Sequence, residues 1–197
     1  MNTLNSASLI NLLGFTVGVA LYSLLFVMVA RHRKPKQWDF LLLTTAILGF
    51  LWNAGELFEF IRRDFSGIPE APFLEAISYS ALGFLPSVVV YSAWKSAGNE
   101  NPNVRILTYS AYGLSASAAI LHLYSALFSG VAPSALALQI LTYGSLALLV
   151  GALIFTFSQT LEKKGVWITA LLVFAVSALH LSTQNEEHSW VIELVAH

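Results

Sequence analysis

"LLGFTVGVALYSLLFVMV", residues 12–29, runs for 18 positions without a charged side chain. At about 1.5 Å per residue, a helix of this length covers most of a hydrocarbon core about 30 Å thick. A barrel strand is only ~10 residues long and alternates between apolar and polar, which this run does not. It therefore reads as the centre of a transmembrane helix over about 8–30. Further runs of this kind follow at about 40–61, 73–94, 104–129, 134–158 and 166–183, and a seventh starts at 189 and stops incomplete at 197. The expected fold is all-α: a polytopic transmembrane bundle of six full spans plus the start of a seventh.

Composition agrees with that fold. Charged residues make up 11% of the chain and hydrophobic residues 56%, where soluble proteins carry roughly a quarter charged. The lipid bilayer is thus the first partner. A net charge of −1 leaves no excess of cations to neutralise phosphates, so nucleic acid is not expected as a partner. The chain has no cysteine, so any metal would need nitrogen or oxygen ligands. The connections are short and contain helix breakers, as in "RRDFSGIPEAP" (62–72), "KSAGNENPN" (95–103) and "SGVAP" (129–133). Residues 1–197 read as one domain, without apparent self-similarity at a fixed period.

Arg31, Arg33, Lys34, Lys36, Lys95, Arg105, Lys163 and Lys164 fall on one side of this arrangement, and only Arg62 and Arg63 on the other. The positive-inside rule makes the first side cytoplasmic and puts the N-terminus outside.

Ionisable groups within the spans are few, and each must be offset by a partner or an aqueous cavity. By helical rise, Glu56 and Glu59 lie ~9 and ~5 Å below the outer end of the second span, and His122 ~10 Å below that of the fourth. His180 lies ~5 Å below the outer end of the sixth, while Glu193 and His197 lie ~6 and ~12 Å into the seventh. Glu75 opens the third. Glu56 and Glu59 (i, i+3) share one helix face, as do Glu193 and His197 (i, i+4). Trp52 and Asn53 extend the first pair into an inward-pointing stripe, "WNAGELFE" (52–59). The expectation is a polar cluster near the outer face.

Such a cluster admits three readings. Purely structural pairs, Glu56 with His180 or Glu193 with His122, would satisfy the buried charges. A pocket for a proton or a small ligand is the second. The third is a metal or haem site: His122, His180 and His197 are candidate haem ligands, and mixed His and carboxylate sets suit a divalent metal. No H-E-x-x-H or Glu-x-x-His arrangement occurs. Small-residue stretches such as "SYSALG" (78–83) and "SAYGLSASAA" (110–119) predict close helix packing, and Pro86 predicts a kink in the third span.

No nucleophile elbow, P-loop, dinucleotide loop or kinase motif is found, so the chain reads as no independent enzyme. "LLGFTVGVALYSLLFVMV" (12–29), "LGFLWNAGELFEF" (48–60), "ALGFLPSVVVYSAW" (81–94) and "ALHLSTQNEEHSWVIELVAH" (178–197) resemble the membrane-embedded N-terminal sensor region of bacterial multi-pass sensor histidine kinases. The resemblance implies a bacterial inner-membrane protein that continues into a C-terminal kinase region and dimerises through that parent. It also implies a signal-input role, in which the outer cluster senses a ligand, a proton or a redox change. Two other classes stand beside it. One is a haem- or metal-binding electron-transfer or oxidoreductase subunit. The other is a small proton-linked transporter, weakened because no span combines a midplane charge with a Gly/Pro break.

Overall fold

A computed structural model describes residues 6–31, 39–69, 71–96 and 102–157. They form five helices: α1 (Ser6–Ala30), α2 (Phe40–Phe60), α3 (Pro72–Ser96), α4 (Pro102–Tyr124) and α5 (Ala135–Phe157). No strand occurs among the described residues. Four helical stretches are long and apolar enough to cross a membrane: Leu9–Ala30, Phe40–Arg63, Pro72–Ser92 and Arg105–Ser129. Among the described residues the all-α fold is as expected, with these four candidate spans, and six full spans are not supported. Helix α5 carries the apolar stretch Ala135–Gly151 and runs on to Phe157. The runs at 166–183 and 189–197 lie outside the described residues.

Local chemistry sets the helix ends. The Asp39 carboxylate accepts the N–H groups of Leu41 (3.0 Å) and Leu42 (3.2 Å), an N-cap that satisfies two otherwise orphaned donors of α2. Pro72 begins α3, where a missing N–H costs nothing. The same helix runs on through Pro86, which is buried. At its far end α2 widens into a π-helical turn, Ile61–Phe65, and α4 does likewise over Ser125–Ser129. A glycine in the left-handed region follows each turn, Gly67 at φ 59° just after the cap residue Ser66 and Gly130 at φ 63° as the cap itself, a conformation that a side chain disfavours.

These paired endings show an internal repeat that is not apparent in the sequence. The unit α2–turn–α3 recurs as α4–turn–α5 at an offset of 63 residues: Glu59 matches His122, Gly67 matches Gly130, and Ala71 matches Ser134. Buried positions correspond as well, with Trp52, Gly55 and Glu59 in α2 matched by Ser115, Ala118 and His122 in α4. Ser78, Tyr79 and Leu82 in α3 are likewise matched by Leu141, Thr142 and Ser145 in α5. Since α2 and α4 are separated by one helix, the two units run in parallel.

Each helix packs on its neighbours in the chain, in the order α1, α2, α3, α4, α5. This row makes α3 the centre: 56% of its spanning window is buried, against 6% of that of α1. Large apolar side chains on the outer surfaces, among them Leu13, Leu24, Ile106, Ile120 and Ile154, suit hydrocarbon surroundings. The interior uses small residues, as expected. A Cβ at Gly55 would collide with the Ser78 side chain, so α2 and α3 approach as closely as they do only because Gly55 lacks one. Between α3 and α4, the Ser115 hydroxyl lies 2.7 Å from both Ser87 Oγ and the Gly83 carbonyl. Around Trp52, Tyr79, Leu82, Ala118 and Leu141 forms the main apolar cluster.

Candidate functional site

At the end of the bundle where α2 turns into α3 lies a polar pocket of about 470 Å³. Its walls come from four places. Helix α1 supplies Asn11 and Phe15, and α2 supplies Glu56, Glu59 and Phe60, with Arg63 following in the π turn. Helix α3 supplies Glu75 and Tyr79, and the segment before α5 adds Ala132 and Pro133. The spacings explain the convergence: Asn11/Phe15, Glu56/Phe60, Glu59/Arg63 and Glu75/Tyr79 are each four residues apart and share a helix face. Three carboxylates meet one guanidinium here, a formal excess of two negative charges. The other cation of the π turn, Arg62, is turned away, with Nη2 donating to the Pro69 carbonyl at 2.5 Å and the guanidinium 5.7 Å from the Phe58 ring centre.

Glu59 is the deepest of the three, at 9% exposure. Its Oε1 accepts the N–H of Ala71 at 3.0 Å, and the Ala71 carbonyl in turn accepts the Glu75 N–H at 3.1 Å, opening α3. A carboxylate at a helix N-terminus also complements the helix dipole. Glu59 therefore has a structural duty. Only one oxygen performs it: Oε2 is buried and makes no hydrogen bond among the described residues.

His122 performs the matching duty in the second unit. It is fully buried, and its Nδ1 accepts the Ser134 N–H at 3.1 Å, while the Ser134 carbonyl accepts the Leu138 N–H at 3.0 Å, opening α5. Because Nδ1 is the acceptor, the ring proton sits on Nε2. The imidazole packs against Tyr79, with ring centres 5.7 Å apart. His122 is not among the residues lining the pocket, whereas its ring neighbour Tyr79 is.

The structure thus brings together Glu56 and Glu59, joins Glu75 to them, and sets His122 one layer behind. His180, Glu193 and His197 lie outside the described residues, as do the pairings of Glu56 with His180 and of Glu193 with His122. The "WNAGELFE" stripe does point inward: Trp52, Gly55 and Glu59 are buried, and Asn53 and Glu56 half-buried. Sequence reasoning missed Asn11, Phe15, Arg63 and Tyr79. Their four-residue spacing from one another or from a glutamate was the available signal. As for a divalent metal, no three His, Asp or Glu side chains among the described residues are grouped to hold one. Of the candidate haem ligands, only His122 is described, and its Nδ1 is engaged by Ser134.

Trp52 stands under the pocket. Its ring meets Tyr79 edge-on at 5.3 Å and Phe15 at 6.5 Å, which joins α1, α2 and α3 through one aromatic stack. No protein-family model, curated protein or solved structure matches the chain.

Proposed function

We propose that the chain is the membrane-embedded signal-input module of a bacterial two-component sensor histidine kinase, with the polar pocket as its input site. In this reading it lies in the inner membrane with its N-terminus outside, and acts as a homodimer through the kinase region of its parent. The observation that supports it is the placement of the pocket. Side chains from α1, α2, α3 and the segment before α5 all reach it, although α1 packs chiefly on α2 alone. An occupant touching all four favours whichever helix packing holds it better, and only that difference in affinity shifts the population. A movement of α1 against α3 would then reach the rest of the chain through the Phe15–Trp52–Tyr79 stack.

The test has a genetic and a biochemical half. The reading frame beyond codon 197 is expected to encode a dimerisation helix with a phosphorylatable histidine and an ATP-binding domain; a stop codon there refutes the kinase assignment. In vesicles, the parent's autophosphorylation is expected to change several-fold in Glu59→Gln. An unaltered rate in a correctly folded variant refutes the pocket as input site.

A further inference from the structure

We propose that the pocket binds a small organic cation, an alkylammonium group, with Glu59 Oε2 as its principal acceptor. This deepens the reading of the pocket as the input site and rests on it. Four observations converge. The cavity, at about 470 Å³, is within the size range of small-molecule sites, about 300–1,000 Å³. Its lining carries three carboxylates against one guanidinium, which favours a cation over an anion. Glu59 is nine-tenths buried, lines this cavity, and has one oxygen, itself buried, that no described donor satisfies. Burying a carboxylate is costly unless its oxygens are paired, so a donor arriving in the cavity meets a ready acceptor.

The walls then select among cations. Phe15, Phe60 and Tyr79 give three aromatic rings around the same space, and ring faces attract ammonium groups while accommodating their alkyl carbons. A bare divalent ion needs six or more oxygens or a tight His and carboxylate set. The described residues gather no such group. The chemistry that uses every wall is therefore an ammonium head on an apolar body. Such a head can arrive on a free amine or on a phosphatidylethanolamine headgroup.

Trp52, in contact with two of the aromatic walls, provides a reporter. Purified protein in uncharged maltoside micelles is titrated with n-butylammonium and tetramethylammonium chloride while tryptophan emission is followed, with sodium chloride at matched ionic strength and sodium butyrate as controls. A saturable change with at least one cation and none with the controls is expected. Glu59→Gln should weaken it about tenfold or more, the effect of losing one charge-assisted hydrogen bond. Asn11→Phe, which fills the exposed mouth on α1 and removes no charge, should weaken it as well. Both variants are checked for helix content and elution volume.

No saturable response in the wild type overturns the proposal, as does unchanged affinity in either well-folded variant. In nanodiscs, exchanging phosphatidylglycerol for phosphatidylethanolamine separates the two sources: competition with butylammonium assigns the ammonium to the lipid, and no competition assigns it to the free amine. Binding that leaves the parent's autophosphorylation unaltered sinks the signal-input reading and keeps the site. Autophosphorylation that depends on Glu59 without ammonium binding does the reverse.

Discussion

Replacing His122 separates its two nitrogens. The imidazole is fully buried, and its Nδ1 is the acceptor for the Ser134 N–H at 3.1 Å. A neutral hydrogen bond contributes about 1 kcal/mol, and a buried donor left without a partner costs about 1–3 kcal/mol. Truncation to alanine also removes the contact with the Tyr79 ring, worth about 0.5–1.5 kcal/mol, and leaves a cavity. His122→Ala should therefore lose about 3–5 kcal/mol of stability. Asparagine places a carbonyl oxygen where Nδ1 stands, so His122→Asn should recover about 1–3 kcal/mol of that loss. Glutamine carries its polar end out to the position of Nε2 and should recover less. Equilibrium unfolding in mixed micelles of maltoside and dodecyl sulfate, followed by circular dichroism, ranks the three variants. If glutamine rescues better than asparagine, the Nε2 edge carries the weight and the capping argument is wrong.

Three further outcomes follow from the packing. Gly55→Ala should cost about 1–3 kcal/mol by overpacking, and Ser78→Gly in the same chain should restore part of it, since only the Ser78 Cα, at 3.9 Å from the new Cβ, would remain nearby; strict additivity in the double-mutant unfolding cycle would show that no close approach exists. Glu59→Gln keeps an amide oxygen for the Ala71 N–H and should unfold within about 1 kcal/mol of wild type, whereas Glu59→Ala should lose about 1.5–3 kcal/mol; equal losses in the same unfolding assay would make the charge itself structural. Ser115→Ala should cost about 0.5–2 kcal/mol, in line with interhelical hydrogen bonds in membranes, and a loss beyond that range would mean that α3 and α4 are held by more than the Ser87–Ser115–Gly83 contacts.

The helices were legible because the bilayer imposes a length. The runs at 40–61, 73–94 and 134–158 differ by at most two residues at either end from Phe40–Phe60, Pro72–Ser96 and Ala135–Phe157. The π turns were not legible, since "RRDFSG" and "SALFSG" show only where a helix stops, not how its last turn widens. Depth along each helix brought Glu56 and Glu59 to one end, but it placed His122 in the pocket with them. Depth says nothing of rotation about the helix axis, and it is Tyr79, the ring beside His122, that lines the pocket. The repeat escaped notice for a related reason. What the two units share is a backbone path, so identity survives mainly where backbone conformation demands it, at Phe65-Ser66-Gly67 and Phe128-Ser129-Gly130. Packing positions kept burial and changed chemistry: Trp52 corresponds to Ser115, and Tyr79 to Thr142.

That exchange of chemistry at fixed positions divides structural polar groups from the rest. The fold needs one acceptor near the end of α2 and one near the end of α4, each twelve residues before the N–H that it caps. A carboxylate fills the first place and an imidazole the second, so the fold does not prescribe charge there. His122 has spent Nδ1 on this duty and turns its remaining polarity into a closed interior. Glu59 has spent Oε1, leaves the buried Oε2 without a donor among the described residues, and lines a cavity that Glu56 and Glu75 also line. At the positions equivalent to those two glutamates, the second unit carries Ala119 and Leu138. A helical hairpin of this kind is therefore built without carboxylates at those two positions.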